Sequence, residues 1–438
     1  MGYNTTMKTL EQLKSGQLIG SKRLTLSCGL KEFPREILTL AETLEVLNMT
    51  DNHLNRLPDD FGKLRHLKIL FLSNNQFKEV PTVLSHCPNL SMIGFRNNQI
   101  DTLTENALPL STRWLILTDN ALTSLPESIG ELKYLQKCML SGNQLTHLPT
   151  SMKHCKNLEL LRIAVNAFTE LPKMILELPK LSWLAYGGNP FCAKHPACNT
   201  PLKELAWNDL ELGKVLGEGA SGLISKAIYA GKEVAVKIFK GDITSDGLPE
   251  EEMDINISIG HHDHLVDVFA RVSGHPEGKD VLMLELIPSS FFNLGLPPTL
   301  ETCSRDVYFE GFTLTLSQSI KILQGMADAA LHMHQRGIMH GDFYAHNIMI
   351  DKDANNILGD FGGASYYEPK EVEVRNALER LEVRAFGCLI EEMLLLSQND
   401  TSYSKQNKQL EALKDACLNA ENKDRPLFDT VYQQMIAL

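Results

Sequence analysis

From Leu44 onward, apolar residues and one asparagine recur at fixed offsets. Leu44, Leu47, Met49 and Asn52 open the series, and Leu54, Leu57 and Pro58 complete the first unit. The asparagine returns at 75, 98, 120, 143, 166 and 189, at intervals of 23, 23, 22, 23, 23 and 23 residues. So constant a period predicts stacked units, each supplying one short strand whose alternate apolar side chains face the interior. The asparagine amide carries both a donor and an acceptor, so it suits the point where the chain turns off the strand. A copy one residue short (Leu24, Leu26, Leu30, Phe33, Pro34) precedes the series and predicts an N-terminal cap, and Gly188–Cys192 ends it.

The period and pattern are those of leucine-rich repeats. Strand alternation then places the residues two, four and six before each asparagine on the outward, concave face. Six before, they are Val46, Ile69, Met92, Trp114, Lys137, Leu160 and Trp183; four before, they include Phe71, Ile116 and Met139. Two tryptophans and several long aliphatics do not belong on a solvated face, and such a stripe marks a binding surface. Its occupant is either a protein partner or this chain's own second half, and the sequence leaves both open. On the first alternative, Trp114→Ser with Trp183→Ser abolishes partner binding and spares the fold.

Past a connector at about 192–204 the period is lost and different elements follow. Gly217-Glu218-Gly219-Ala220-Ser221-Gly222 precedes Lys232-Glu233-Val234-Ala235-Val236-Lys237-Ile238, an alternating strand rather than the helix that a dinucleotide-binding unit requires. Glycines at 217, 219 and 222 let backbone amides fold over phosphate oxygens, and Lys237 on the strand below reaches the α- and β-phosphates. A glutamate on the next helix should fix that lysine. Pro249-Glu250-Glu251-Glu252-Met253 starts the helix, and Glu252 fits best because Ile255 and Ile259 follow it at helical spacing; Glu251 is the alternative. Val281–Ile287 reads as a buried strand running into a hinge, where backbone at Glu285 and Leu286 meets adenine against Ile224 and Ala235. Ser317–Arg336 predicts an amphipathic helix.

Composition adds two limits. The formal net charge is −12, which argues against a nucleic-acid or broad anionic-membrane surface. It divides as +4 over residues 1–200 and −16 over 201–438, as expected of two chemically distinct domains. Nine dispersed cysteines indicate reduced thiols and a cytoplasmic setting, and no apolar run reaches the length of a membrane span. Cys192, His195 and Cys198 offer three zinc ligands where four are wanted, so a capping loop is expected there. Met1–Thr6 formally fits the short N-myristoylation pattern.

The chemistry concentrates in His340-Gly341-Asp342-Phe343-Tyr344-Ala345-His346-Asn347, followed by Asp360-Phe361-Gly362. Asp342 would orient or deprotonate an acceptor hydroxyl, while Asn347 and Asp360 would hold Mg²⁺ on ATP. With Lys237 and the glycine loop upstream, residues 207–438 resemble a eukaryotic-type protein kinase domain. The whole chain resembles the soluble leucine-rich-repeat-containing protein kinases found in bacteria. The resemblance implies an α/β leucine-rich-repeat solenoid followed by an α+β two-lobed domain. Residues 1–199 would form about seven regular repeats plus the capping repeat, and 205–438 the kinase domain, with an N-lobe at about 205–287 and a C-lobe at about 288–438.

It further implies serine/threonine phosphorylation, with Asp342 and Lys237 catalytic. Glu382-Val383-Arg384-Ala385-Phe386-Gly387 resembles the family's buried helix start with Glu for Asp, and Asp424-Arg425-Pro426 its late Arg-Pro motif. Gly341 stands where many kinases carry an Arg, and Tyr344 where serine/threonine kinases carry a Lys, for which His346 is a partial substitute. The segment from Asp360 to Glu382 is short and lacks Ala-Pro-Glu. A small-molecule kinase of aminoglycoside or choline phosphotransferase chemistry, and a pseudokinase scaffold, are the competing readings.

Overall fold

The computed structural model describes residues 9–192, 202–219, 221–241, 243–244, 246–367, 371–397 and 404–438. The chain forms two compact units: residues 1–161 with 166–178, and residues 162–165 with 179–438. The segments 162–165 and 179–192, although in repeat register, thus group with the second unit.

In the first unit, helix α1 (Leu10–Lys14) opens with a capping box between Thr9 and Gln12. Strands β1 (Arg23–Thr25), β2 (Val46–Asn48), β3 (Ile69–Phe71), β4 (Met92–Gly94), β5 (Trp114–Ile116) and β6 (Lys137–Met139) follow, with β7 (Leu160–Arg162) starting at its end. They pair in parallel, in chain order, with Val46, Ile69, Met92, Trp114 and Lys137 in one row. Turns of 3₁₀ helix such as Thr82–His86 and Thr150–His154 return the chain to the next strand. The short first copy, expected to cap the array, pairs with the next strand, with Arg23 opposite Val46, and α1 precedes it.

Each ladder asparagine lies inside a bend and closes it. Asn75 donates to the carbonyls of Met49 and Leu72 at 2.9 and 3.0 Å and accepts from the Leu54 amide at 2.9 Å. Asn98, Asn120 and Asn143 repeat the arrangement one unit later each. The residue before each asparagine takes a left-handed φ: Asp51, Asn74, Asn97, Asp119, Gly142, Val165 and Gly188, between 52° and 73°. Short polar residues and glycine tolerate that region, which is why they recur there, whereas Val165 is a strained exception.

The second unit contains β8 (Trp183–Ala185), β9 (Lys203–Ala206), β10 (Leu210–Glu218), β11 (Gly222–Tyr229), β12 (Lys232–Phe239), α2 (Pro249–Ile259), β13 (Val268–Ser273) and β14 (Val281–Leu284). Strand β8 ends the parallel repeat sheet, while β9 to β14 form a six-stranded sheet in the order β10-β11-β12-β14-β13-β9. The alternation in β12 divides its side chains between two cores. Val234, Val236 and Ile238 join Leu205, Val272 and Met283 on one face. On the other face Ala235 and Phe239 meet Met253 and Ile257 of α2, with Leu282 and Leu284.

Beyond the hinge come β15 (Phe292–Asn293), α3 (Leu316–Gln335), β16 (Ile338–Met339), β17 (Ile348–Ile350), β18 (Asn356–Leu358), β19 (Ser365–Tyr366), α4 (Val372–Leu396), α5 (Ser404–Cys417) and α6 (Phe428–Ile436). Helix α3 starts at a Thr315–Gln318 capping box and buries Ile322, Met326, Ala330 and Met333. The β15-β17-β18 sheet and the β16–β19 pair frame the catalytic stretch. Among the described residues no helix is long and apolar enough to cross a membrane.

Candidate active site

The β10–β11 hairpin carries the glycine loop, and its turn closes with the Gly219 amide on the Gly222 carbonyl at 2.9 Å. A Cβ at Gly222 would lie 2.7 Å from the Ile238 carbonyl oxygen, so close packing on β12 requires that glycine. Gly217 and Gly219 face open space, with no protein atom within 4 Å of where a Cβ would stand. Among the described residues, their lack of a side chain thus answers to no packing contact, and the space beside the loop is open. Ala220 lies outside the described residues.

Beneath the loop, Lys237 on β12 pairs with Glu252 on α2. Glu252 is 3 % exposed, so this is a buried ion pair. Of the two glutamates the sequence left open, Glu252 meets the lysine and Glu251 turns elsewhere. Glu251 stands against Gly187 and Gly188; burial raises its carboxyl to about 7, with Glu250 and Asp254 adding to the effect. Ile224 and Leu286 pack with Ala235 and Leu284 in one apolar cluster, and the Glu285 amide is tied to the Asp267 carbonyl at 2.9 Å.

The catalytic stretch runs between β16 and β17. Asn347 donates to the Asp342 carbonyl at 2.9 Å and to its carboxylate at 3.0 Å, which leaves the asparagine's own oxygen for a cation. Asp360 is exposed, with φ 57°, while Phe361 beside it is buried against His340, ring centroids 5.2 Å apart. One carboxylate and one amide oxygen are hard oxygen donors that would suit Mg²⁺. Among the described residues there is no cluster of three or more His, Cys, Asp or Glu able to hold a metal.

The other carboxylate oxygen of Asp342 takes Arg162, which sequence reasoning missed. Arg162 stands four positions before Asn166, in the row that elsewhere carries Phe71, Ile116 and Met139, so its charge was the available signal. Its Nε donates to Asp246 at 2.6 Å and its Nη1 to the Gly341 carbonyl at 2.8 Å. Burial works to raise the Asp342 carboxyl, but Arg162, His346 and His340 outweigh it and hold it below the usual range.

His346 is not free to stand in for a lysine. Asp306 accepts from its amide at 2.8 Å and holds its Nδ1 at 2.7 Å. Burial pulls the imidazole down, yet Asp306 raises it above the ordinary histidine value.

Trp183, expected on a partner-binding face, is 1 % exposed. Its indole stacks on Tyr344 at 4.2 Å and 8°, and its Nε1–H donates to the Phe343 carbonyl at 3.1 Å. That residue is therefore taken by the chain's own catalytic stretch. Ile69, Met92 and Leu160 are buried too, whereas Val46, Phe71, Trp114, Ile116 and Met139 keep partial exposure. Lys137 lies 4.7 Å over the Trp114 ring.

Glu382, expected at a helix start, lies well inside α4 because the helix begins at Val372. It accepts from the amides of His340 at 3.1 Å and Gly341 at 2.8 Å and meets His334 at 2.8 Å. Arg425 is buried and donates to the carbonyls of Asn419, Arg380 and Pro179, at 2.7, 3.1 and 2.9 Å; burial pulls its guanidinium down to about 9. Ser365 is buried beside the Tyr186 amide, and the Tyr367 hydroxyl is held by His334. Cys192 donates to the Tyr186 carbonyl, while Cys198 and Met1–Thr6 lie outside the described residues.

Family comparisons agree with this arrangement. The model for the protein kinase domain matches residues 210–383 and that for the leucine rich repeat residues 42–107. The chain carries a leucine-rich-repeat region followed by a protein kinase domain. The "Probable LIM domain-containing serine/threonine-protein kinase" of Dictyostelium discoideum is 27 % identical over 213 residues, 44 % of this chain and 31 % of that protein. The L-type lectin-domain containing receptor kinase S.7 of Oryza sativa subsp. japonica is 28 % identical over 209 residues, 42 % and 28 % of the two chains. The match thus spans about a third of these relatives' length. A solved leucine-rich-repeat protein of Leptospira interrogans is 28 % identical, covering 42 % of this chain and 53 % of that one, with a TM-score of 0.35.

Proposed function

We propose that the chain is an ATP- and Mg²⁺-dependent protein kinase directed at Ser or Thr hydroxyls. The observation that carries this is the buried Lys237–Glu252 pair beneath a hairpin whose Gly217 and Gly219 face open space. Lys237, held by Glu252, would neutralise the α- and β-phosphates, and Ile224, Ala235 and Leu286 would take the adenine, with backbone at Glu285. Asn347 and Asp360 would hold Mg²⁺, which when bound screens phosphate charge. Asp342 would orient the acceptor hydroxyl and receive its proton. Phosphoryl transfer asks little of the protein beyond such positioning and charge placement.

The half-exposed row Val46, Phe71, Trp114, Ile116 and Met139 supports recruitment of a protein partner or substrate by the repeats. Eight free cysteines among the described residues fit a reducing, cytoplasmic setting. We read the boundary between repeats (1–199) and kinase (205–438) from the ending of the asparagine period.

One observation favours small-molecule acceptors as a second reading. Trp183 covers Tyr344, and β19 leads into α4 within a few residues, which leaves little platform for a peptide. Purified protein with labelled ATP and Mg²⁺, generic protein acceptors and a cell extract separates the readings. Label in protein bands that vanishes with Asp342→Ala supports the protein kinase. Label only in small molecules supports the second reading, and no transfer at all leaves a scaffold.

A further inference from the structure

The catalytic stretch places no lysine or arginine beside Asp342, and its own positive charge there comes from His340 and His346. Gly341 has φ 72°, and a Cβ there would lie 2.3 Å from the Gly363 carbonyl oxygen and 2.6 Å from that of Leu184. Backbone on both sides therefore excludes any side chain at 341. Tyr344, two residues after the aspartate, lies flat beneath Trp183. The one guanidinium on the Asp342 carboxylate comes from β7.

We propose that Arg162 is a positioning residue of the phosphotransfer site, holding the Asp342 carboxylate from β7 because position 341 has no room for an arginine. Arg162 is 1 % exposed, so it acts on the acceptor only through Asp342. Its planar fork is fixed at three points: Asp246, the Gly341 carbonyl and Asp342. With Asn347 on the second oxygen, both sides of the carboxylate are held and its rotamer is set. The Asp342 side chain keeps 19 % exposure, an open edge by which a hydroxyl reaches it.

The contact is built as a permanent part of the site. Trp183 anchors to the Phe343 carbonyl, and the Tyr186 hydroxyl donates to the Tyr366 carbonyl at 3.1 Å. Both side chains are almost wholly buried. A strap meant to lift would expose two large aromatics, and glycine at 341 would then be needed for no contact with Leu184. Lysine cannot reproduce a three-way fork, although it restores the charge.

The inference rests on the kinase reading, and one experiment separates their failures. Full-length wild type, Arg162→Ala, Arg162→Lys and Asp342→Ala are compared for ³²P transfer from ATP–Mg²⁺ to dephosphorylated casein and to water. ATP affinity by calorimetry and thermal melting run alongside. Arg162→Ala should lower kcat about 100-fold, the effect of misplacing a reacting group by an ångström, with KM for ATP unchanged. Arg162→Lys should recover part of it, and millimolar guanidinium should partly rescue the alanine variant. Arg162→Ala activity equal to or above wild type overturns the proposal, the latter by making Arg162 an inhibitory latch. A loss shared by melting and ATP binding, with no rescue by Lys or guanidinium, reduces Arg162 to a structural residue and overturns it too. If wild type transfers nothing, the kinase reading falls and this role with it.

Discussion

Arg162 and Asp342, 180 residues apart in the sequence, share a charge-assisted hydrogen bond inside the second compact unit. Asp246, just ahead of α2, grips the same guanidinium at Nε, so one side chain ties β7, the approach to α2 and the catalytic stretch together. A buried guanidinium depends on such partners, since each N–H it leaves unmet in the interior is costly.

Lys237 and Glu252 make the plainest test of the nucleotide side. Lys237→Met should lower ATP turnover by about 10²–10³-fold, the range found when one stabilising charge or donor is removed. Glu252→Gln should cost less, because it keeps an oxygen near the ammonium. Glu251→Gln should leave turnover close to wild type. Initial rates at saturating ATP check all three, and a dead Glu251→Gln beside an active Glu252→Gln would reverse the assignment.

Trp183 and Trp114 occupy the same repeat register and should behave differently. Trp183 is enclosed, stacked on Tyr344 and bonded to Phe343, so Trp183→Ala should cost about 3–5 kcal/mol of stability, as large-to-small changes in cores do. Trp114 is half-exposed beside Lys137 and Met139. Trp114→Ser should change stability little and weaken partner capture instead. Urea unfolding of both variants checks this, and equal destabilisation would remove Trp114 from the docking face.

The repeats were legible because their physics is local and periodic: every asparagine from Asn52 to Asn189 closes its own bend. The left-handed positions were legible as well, in Asp51, Asn74, Asn97, Asp119 and Gly142, but the pattern was read only for its leucines and asparagines. The residues proposed for the site stand out through order along the chain, since Lys237, Asp342, Asn347 and Asp360 each sit in a short motif. Arg162, Asp306 and His334 belong to no motif. Their roles come from tertiary approach across 40 residues or more, which spacing does not encode. Trp183 falls in the predicted row, and its cover by Tyr344 and the Phe343 carbonyl lies beyond what spacing encodes.

Glu251 should make stability pH-dependent near neutrality. Its folded value of about 7 lies above the ordinary 4.5, with burial as the main cause. The folded state therefore binds the proton more tightly. The contribution is fully present below about pH 4.5 and is lost as pH rises through about 7. Glu251→Gln should flatten that part of the profile and raise stability at pH 8. Melting temperatures from pH 4 to 9 check it, and an unchanged slope in the variant would assign the titration elsewhere.

Glu382 should prove the anchor of the catalytic stretch. Its carboxylate accepts the amides of His340 and Gly341 and meets His334, all in the interior. Burial works to raise it, but His334 outweighs burial and holds it below the usual carboxylate range. The sign is thus opposite to that of Glu251: stability is present above the unfolded value and lost as pH falls through the folded one. Glu382→Ala leaves two buried amides without an acceptor and His334 without its partner. Orphaning buried donors in this way costs about 1–3 kcal/mol for each. Glu382→Gln keeps one acceptor oxygen and should fall between. Hydrogen exchange at His340 and Gly341 reads the anchor directly, because those amides should lose protection in the alanine variant before the repeats do. Wild-type protection at both, with wild-type stability, would mean that α4 holds the stretch by packing alone.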